Sequence, residues 1–442
     1  MTSSVQPLPA GVPAASTDSS LTRLRQSFRD WRSAYGLRRQ WQQQIRRASS
    51  SQRTGPTLRL LVLPPDPWTL VGSKGDEAMI IGVVERIRRQ SPGLVVGVVT
   101  ATDAADTMAR SLGFEPLRVW SRHWHLGEVT RALGQFDADT MVVVGADSID
   151  GYYSMVTAMR MLVTADIMAR SGVRTTILGF SFNSKPSPYL KPVFDGLSSG
   201  VSINVRDKVS FRRFQAFSRA KSKLVADAAF LLQPSRENPE VVAAAHWADA
   251  RKAAGDVVLG FNLHPMLIRN ATPAEVDALI KSAALAIGNI ARERAVSVLL
   301  ICHDYRGKDG DDACLGPLHA ALAAQMGERL KYPTARCSAS DLKAMAACTD
   351  GVVTGRMHLA IASLGCGVPV AAITYQDKFQ GLFAHFDLPE HLLLSPADAA
   401  SATRLQTVTE RFLDELPRLR EQVERALPAV KKASLDNLQG IV

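Results

Sequence analysis

The chain of 442 residues is long enough for two ordinary domains, and its 46% hydrophobic and 21% charged residues are typical of a soluble globular protein. No run of about 18 uncharged apolar residues occurs, and the five cysteines have neither metal-ligand spacing nor the even number of a disulfide framework. The first residues lack a basic region followed by an apolar core, so no secretory signal is predicted and a cytoplasmic location is expected.

The first 54 residues are a basic extension. They hold nine Arg and two Asp, which gives a net charge of +7 out of +10 for the whole chain. An amphipathic helix is predicted from Leu21, with a break at Gly36, because apolar residues recur at helical spacing: Leu24, Phe28, Trp31, Tyr35, Trp41 and Ile45. Two interpretations stay open. The apolar stripe packs on the body of the protein, or residues 21–47 contact an anionic membrane peripherally.

From residue 58 onward, strand-like and helix-like segments alternate. In the first half, strands are predicted over 58–63, 94–100, 140–144, 175–180 and 201–205, and helices over 75–89, 102–112, 152–170, 188–197 and 207–217. A polar, Ala-rich connector follows, up to Gly255. The alternation then restarts, with strands over 257–261, 296–302, 351–353 and 369–373 and helices over 273–294, 313–326, 341–347 and 357–364. A final amphipathic helix is predicted over 402–430.

Two such runs in series predict an α/β protein with two doubly wound Rossmann-like domains that face each other across a cleft. The predicted divisions are the basic extension (1–54), an N-terminal domain (55–235), a C-terminal domain (236–400) and a C-terminal helix (401–442). Ligands of such sheets bind beyond the carboxyl ends of the strands. The turns after the strands are therefore where functional side chains are expected.

Four of these turns carry polar or basic side chains. Arg356 and His358 stand at the start of the helix after the strand at 351–353, where a helix N-terminus and an Arg both favour an anion. Asp76 follows a Gly-rich turn at 72–75, Asp147 follows the strand at 140–144, and Arg206-Asp207 follows the strand at 201–205. Nucleic-acid binding is not predicted, because aromatic residues make up only 6% of the chain and no such motif occurs.

In order and spacing, these strings resemble the polysaccharide pyruvyl transferase family. The resemblance is carried by an R-x-H turn at 356–358, a G-V-P strand at 367–369, a loop with Tyr375 and Lys378, a Gly-Asp turn at 72–76 and an R-D-x-x-S string at 206–210. The chain departs from the family at two turns. Only Gly145 remains of a Gly-rich turn that continues here as Ala146-Asp147, and Ala228 replaces the Pro of an Asp-Pro pair.

The resemblance implies a glycosyltransferase-B-like fold and the transfer of pyruvate from phosphoenolpyruvate onto two sugar hydroxyls. The product is a ketal, and phosphate is released. The implied partners are phosphoenolpyruvate and an oligosaccharide or lipid-linked sugar acceptor. The N-terminal domain is expected on the acceptor side and the C-terminal domain on the donor side. No cofactor and no metal are expected, since phosphoenolpyruvate is a co-substrate.

Site residues follow from the same resemblance. The expected donor-binding residues are Arg206, Arg356, Met357 and Lys378, and the expected acceptor-binding residues are Ser73, Lys74, Gly75 and Asp147. Phosphoenolpyruvate carries up to three negative charges, so two arginines from different domains would hold it across the cleft. His358 and Asp76 are the expected catalytic residues. His358 is predicted to supply the proton for the methylene carbon, with a pKa at or below the ordinary 6.5 or so.

Simpler interpretations of the same residues stay open. Asp76 could serve only as a helix cap, and Asp311 or Asp312 could cap the following helix. Arg206 could form a surface pair with Asp207 or an acidic neighbour. Strand ends at 262–264 and 303–304 could support the site from behind. For the whole protein, the alternatives are a glycosyltransferase that uses a nucleotide sugar, and a non-catalytic carbohydrate-binding relative suggested by the altered turn at 145–147.

Overall fold

A computed structural model describes residues 20–49, 55, 57–374 and 378–441, without the side chains of residues 20–27 and of Lys308. Tyr375, the first nineteen residues of the basic extension and the side chain of Leu24 lie outside the described residues.

Seven parallel strands form the first sheet: β1 (Arg59–Leu63), β2 (Val95–Thr100), β3 (Glu115–Arg118), β4 (Thr140–Val143), β5 (Arg174–Phe180), β6 (Val201–Val205) and β7 (Lys223–Leu224). The accompanying helices are α1 (Ser20–Ile45), α2 (Lys74–Gln90), α3 (Asp103–Ser111), α4 (Leu126–Gln135), α5 (Met155–Arg170), α6 (Lys191–Phe194) and α7 (Lys208–Phe217). Helices cover both faces of this sheet, since alternate residues of β1 enter two cores. Leu60 and Val62 belong to one core, and Leu61 and Leu63 to the other.

Six parallel strands form the second sheet: β8 (Val257–Asn262), β9 (Val296–Leu300), β10 (Leu330–Lys331), β11 (Gly351–Thr354), β12 (Val370–Ile373) and β13 (Leu393–Leu394). The remaining helices are α8 (Pro239–Ala253), α9 (Pro273–Glu293), α10 (Asp312–Met326), α11 (Ala339–Ala347), α12 (Met357–Gly365), α13 (Lys378–Phe383), α14 (Pro396–Ala399) and α15 (Ala402–Leu435). No helix within the described ranges is long and apolar enough to cross a membrane.

The order of the strands confirms the predicted doubly wound class. The first sheet runs β3-β2-β1-β4-β5-β6-β7, and the second runs β10-β9-β8-β11-β12-β13. In each sheet the chain starts in the middle, builds outward to one edge and then returns to build toward the other. Such a reversal opens a crevice at the carboxyl ends of the two central strands, β1 and β4 in one sheet and β8 and β11 in the other. Both crevices face the same cleft.

Two expectations about local structure are wrong, and some elements were not predicted. The predicted connector before Gly255 contains helix α8, which begins with Asn238 as its cap (Glu240 N–H to Asn238 Oδ1, 2.9 Å) and Pro at the first helical position. Strand β3 and helix α4 were not predicted. Strand β3 gives a weak signal because it is short, only partly buried and contains Pro116. Helix α1 continues through Gly36 without a break.

Helix α1 packs on the first domain with only part of its predicted stripe. Ala34, Leu37 and Trp41 are buried, and Trp41 Nε1 donates to Asp166 Oδ2 at 2.7 Å. Phe28, Trp31 and Tyr35 are exposed instead. The two open interpretations of this helix therefore apply to different faces, because one face is held by the protein and the other is left in solvent.

Direct hydrogen bonds join the two domains. The carboxylate of Glu77 in α2 accepts from the backbone N–H of Ala339 at 2.8 Å. Lys343 in α11 is 2% exposed, and its ammonium donates to the carbonyl of Leu232 at 2.7 Å. Burial lowers the pKa of Lys343 from 10.5 to about 8.

The end of α15 and the chain that follows it return to the first domain. The side chain of Asn437 accepts from the backbone N–H of Gly179 at 2.7 Å and donates to the carbonyl of Ala226 at 2.8 Å. Ser434 donates to the carbonyl of Asp227 at 2.7 Å. The C-terminal segment therefore fixes the end of β5 and the segment that carries Asp227.

Asn437→Ala should shift the midpoint of chemical unfolding to lower denaturant. The change leaves a buried N–H and a buried C=O without their partner, at a cost of about 1–3 kcal/mol for each group. The control is Gln439→Ala, at an exposed position two residues away that bonds only the exposed Lys223. Equal midpoints for the two variants would show that the C-terminal return does not stabilise the first domain.

Candidate active site

The cleft between the two domains contains a cavity of about 380 Å³. The side chains around it come from turns at the carboxyl ends of both sheets. The first domain contributes Asp66, Ser73, Asp76, Asp147, Tyr153 and Arg206, and the second contributes Met266, His303, Asp304, Arg306, Arg356, Met357, His358 and Lys378. All four predicted donor-binding residues and both predicted catalytic residues therefore meet at one place.

Arg206 is positioned by the R-D-x-x-S string. Asp207 caps α7 by accepting from Ser210 N–H at 2.8 Å, which fixes the end of β6 just before the helix. Arg206 is 3% exposed, and its Nη1 donates to Asp227 at 2.7 Å. Its Nη2 lies 3.2 Å from Met357 Sδ in the other domain. Of the alternatives for Arg206, the pair with Asp207 is wrong because Asp207 caps α7, and a pair with an acidic neighbour is present with Asp227, although it is buried rather than on the surface.

Arg356 is held by two carboxylates of its own domain. Its guanidinium lies 2.7 Å from Asp311 and 3.1 Å from Asp304. Asp311 is fully buried and also accepts from Asn262 Nδ2 at 2.7 Å. Asp311 makes no cap bond to α10, so the expectation that it caps this helix is wrong. The strand ends at 262–264 and 303–304 do support the site from behind.

Each of the four cations around the cavity already contacts a carboxylate. Besides the two arginines above, Arg306 lies 2.6 Å from Asp304, and Lys378 pairs with Asp147 across the cleft. Desolvation would raise the pKa of Asp147, but Lys378 lowers it to about 2. Replacing Arg206 or Arg356 therefore leaves the buried carboxylate of Asp227 or Asp311 without its arginine, and such a loss destabilises a protein by about 3–5 kcal/mol. Alanine variants of the two arginines would test folding as much as binding.

His358 reaches across the cleft to the first domain. A Cβ added to Gly75 would lie 2.1 Å from His358 Nδ1, so only glycine allows this approach. On the other side, His358 Nε2 lies 3.8 Å from Asp227 Oδ2. Burial, partly offset by Asp227, lowers the pKa of His358 below 6.5. The direction agrees with the sequence-based expectation, but the main cause is burial rather than Arg356.

Asp76 stands in the first turn of α2. Ser73, not Asp76, is the cap of this helix, because the Ser73 side chain accepts from Gly75 N–H at 3.3 Å. The capping interpretation of Asp76 is therefore wrong. Desolvation in the cleft, together with the charges of Asp147 and Asp66, raises the pKa of Asp76 from 3.8 to about 8. The cleft thus holds a protonated carboxyl group and a neutral imidazole at pH 7.

The predicted acceptor-binding residues are only partly brought together. Ser73 and Asp147 line the cavity, whereas Lys74 and Gly75 do not. Lys74 Nζ bonds Glu77 at 2.6 Å, and Gly75 contacts His358 instead. At the altered turn, Ala146 has φ of +47°, so the backbone keeps the left-handed conformation that glycine adopts readily.

Four further residues line the cavity but were not among the predicted site residues: Asp66, Tyr153, Met266 and Arg306. Met266 and Arg306 each lie two residues beyond a strand end named in the sequence analysis, at 262–264 and 303–304 respectively. Among the described residues, no group of three or more His, Cys, Asp or Glu side chains is arranged to hold a metal ion.

A family model described as polysaccharide pyruvyl transferase matches residues 74–377 of the chain. None of the curated proteins matches the chain significantly. The matched range contains the predicted site residues except Ser73 and Lys378, which lie just outside it.

Solved structures of similar architecture have low sequence identity. A Listeria monocytogenes protein assigned as a UDP-N-acetylglucosamine 2-epimerase has 12% identity and a TM-score of 0.56, over 87% of this chain and 96% of that one. UDP-N-acetylglucosamine 2-epimerase from Neisseria meningitidis, bound to UDP-GlcNAc, has 10% identity and a TM-score of 0.52, over 87% of this chain and 99% of that one. A ugt transferase from Siraitia grosvenorii in complex with UDP has 13% identity and a TM-score of 0.52, over 87% of this chain and 98% of that one. These likenesses show the fold, which is the glycosyltransferase-B-like architecture predicted.

Asp76→Asn should gain stability relative to the natural chain as the pH rises from about 5 to about 8. The folded protein holds the Asp76 proton up to about pH 8, whereas the unfolded chain releases it near 3.8. The stability of the natural chain therefore falls across this window, and Asn, which cannot ionise, removes that fall. Melting temperatures of both proteins across the window measure the effect.

The matched control is Asp106→Asn. Burial opposes ionisation of Asp106, but bonds from Thr100 and Arg118 outweigh it and lower the pKa of this group. Its stabilisation is present above the unfolded pKa and lost only at acid pH. The control should therefore show a constant deficit from pH 5 to 8. A constant difference for Asp76→Asn as well would mean that Asp76 is ionised in the folded protein.

Proposed function

Because the chain belongs to the polysaccharide pyruvyl transferase family, we propose that it transfers pyruvate from phosphoenolpyruvate onto two hydroxyls of a saccharide. The product is a ketal, and phosphate is released. The observation that carries the proposal is the pair of proton-handling groups beside the four cations of the cleft. Asp76 has a pKa raised to about 8, and His358 has a lowered pKa. One group can give a proton at neutral pH, and the other can accept one.

The donor would bind where the two domains supply positive charge. Nη2 of Arg206 has a thioether sulfur as its partner, and sulfur is a weak acceptor. A phosphate or carboxylate oxygen of the donor would replace that contact with a stronger, charge-assisted one. Lys378 would exchange Asp147 for the donor in the same way. Arg356 and Arg306 would contribute their charge while their carboxylate partners hold them in place.

The acceptor would enter from a second cavity of about 240 Å³ that shares Asp147 and Lys378 with the first. Tyr152, Asn183 and Ser210 line this second cavity. Asp150, which is 2% exposed, fixes two of them by accepting from the backbone N–H of Tyr152 at 2.9 Å and of Asn183 at 2.7 Å. An aromatic ring with hydroxyl and amide groups suits a sugar, which presents both C–H and O–H groups.

The reaction adds one proton to the methylene carbon of phosphoenolpyruvate and removes one proton from each of the two sugar hydroxyls that bond C2. Asp76 would give its proton to the methylene carbon of phosphoenolpyruvate while His358 takes the proton of the first hydroxyl, whose oxygen bonds C2. Phosphate then leaves C2 with the proton held by His358. The second hydroxyl closes the ring and returns a proton to Asp76. We therefore propose Asp76 as the proton donor in place of His358, the donor expected from the sequence, because burial favours a proton on Asp76 and disfavours one on His358.

The proposal is tested by incubating the purified chain with phosphoenolpyruvate and a panel of oligosaccharide and lipid-linked acceptors. Release of phosphate and the mass of one pyruvate ketal on an acceptor are expected. Sugar nucleotides are the comparison donors, since two of the similar structures hold UDP-GlcNAc or UDP. A glycosylated acceptor with no pyruvate would replace the proposal with glycosyl transfer.

His358→Gln should keep most of the affinity for phosphoenolpyruvate while turnover falls by roughly 10²–10⁴, which is the usual contribution of one general acid or base. Glutamine retains polarity and size but cannot take a proton. Titration calorimetry and initial rates separate the two effects. If affinity and turnover fell in equal proportion, His358 would be a binding group only.

Gly75→Ala should lower turnover by about 10², because the added methyl group would displace the imidazole of His358. A shift of about 1 Å in a catalytic group can have an effect of this size. The control is Gly134→Ala in α4, where an added Cβ meets nothing within 4 Å. The control should keep full activity and gain slightly in stability, since Ala is the better helix former. Full activity of Gly75→Ala would show that the position of His358 is unimportant.

A further inference from the structure

Three aromatic side chains form an exposed row along α1. Phe28, Trp31 and Tyr35 are 62%, 52% and 61% exposed. Ring centroids are 5.9 Å apart from Phe28 to Trp31 and 5.7 Å apart from Trp31 to Tyr35, with nearly parallel planes. We call this row the aromatic ladder. It is a continuous apolar surface on the outside of the protein.

The opposite face of α1 holds the ladder in a fixed direction. Trp41 is 5% exposed and bonds Asp166, and Gln40 accepts from the backbone N–H of Leu126 at 3.0 Å. Leu37 is also buried. A helix fixed on one side cannot turn its other side inward. The exposure of the ladder therefore follows from the way α1 packs.

Positive charge surrounds the ladder. The exposed residues Arg29, Arg32, Arg38 and Arg39 all lie on α1, and Asp30 is the single acidic residue of this helix. Arg32 and Arg39 are four residues from Phe28 and Tyr35 respectively, so they lie beside the ladder on the same side of the helix. Aromatic side chains flanked by arginines on one helical face match the interface of an anionic lipid bilayer, where rings enter the headgroup region and cations meet lipid phosphates.

Single-stranded nucleic acid also binds aromatic and basic surfaces. In the ladder, however, the rings stack on one another, so the faces between them are covered by neighbouring rings rather than open to bases. A lipid interface needs only the edges and the outer surface of the row. The arrangement therefore favours lipid.

We propose that the outer face of α1 docks the protein peripherally on an anionic phospholipid surface. The aromatic ladder enters the interface, and the flanking arginines bind lipid phosphates. The docking does not depend on the reaction proposed for the cleft, because none of the described side chains of α1 lines either cavity. It would place the enzyme at the surface where lipid-linked saccharides are held.

The test measures sedimentation of the full chain with vesicles of phosphatidylglycerol and phosphatidylcholine in equal parts, and with vesicles of phosphatidylcholine alone. Binding to the anionic vesicles is expected, and it should weaken with added salt. The ladder variant, with Phe28→Ser, Trp31→Ser and Tyr35→Ser, should lose at least tenfold in affinity. Arg32→Ser and Arg39→Ser should each lose roughly fivefold on anionic vesicles.

The control carries Val242→Ser and Leu285→Ser, at positions 38% and 60% exposed on other helices, and should bind as the natural chain does. Circular dichroism and melting temperature verify that every variant is folded. Undiminished vesicle binding by the ladder variant would overturn the proposal. So would a dimer of the natural chain that the ladder variant loses, or a defect of that variant confined to binding of single-stranded RNA.

Discussion

The site depends on pairs of opposite charges that are formed before any ligand enters. Arg206 binds Asp227, Arg356 binds Asp304 and Asp311, and Lys378 binds Asp147. A buried cation without a partner would destabilise the fold strongly, so the domains must supply a carboxylate for each cation that they place in the cleft. Each of the two arginines is paired within its own domain, whereas Lys378 of the second domain meets Asp147 of the first, so both domains build the site.

The pairing also decides where protons are held. The cations near Asp147 and Asp227 are already matched to carboxylates, and Asp76 is left beside other acids without an ion pair of its own in the described structure. Its pKa therefore rises to about 8, while desolvation keeps His358 neutral. The free cleft is thus prepared to give one proton and to take another.

The sequence allowed the two parallel sheets and the turns that carry Asp76, Arg206 and His358 to be predicted, because strand periodicity and turn residues are local signals. Which carboxylate meets which arginine was not predicted. Asp304 and Asp311 lie in the connection between β9 and α10, and Asp227 follows β7, so no spacing in the chain records these pairs. Helix α8 was missed because its Ala-rich composition was taken for a connector, although Asn238-Pro239 is a typical helix start.

Helix α1 has a packed face and an exposed face, and which face is which could not be predicted from the sequence either. Helical spacing placed Trp41 in one stripe with Phe28, Trp31 and Tyr35, whereas the structure buries Trp41 against Asp166 and exposes the other three. Periodicity describes one helix, whereas the choice of the buried face depends on the surface that the helix meets.

The central claim is that the cleft protonates the methylene carbon of phosphoenolpyruvate from an exchangeable acid. Running the reaction in heavy water and weighing the product tests it most directly. The account predicts one deuterium in the methyl group of each pyruvate ketal, because the acidic proton of Asp76 exchanges with solvent before it is transferred to carbon. A product that gains pyruvate with no deuterium on carbon, or that retains a methylene group, would contradict the account.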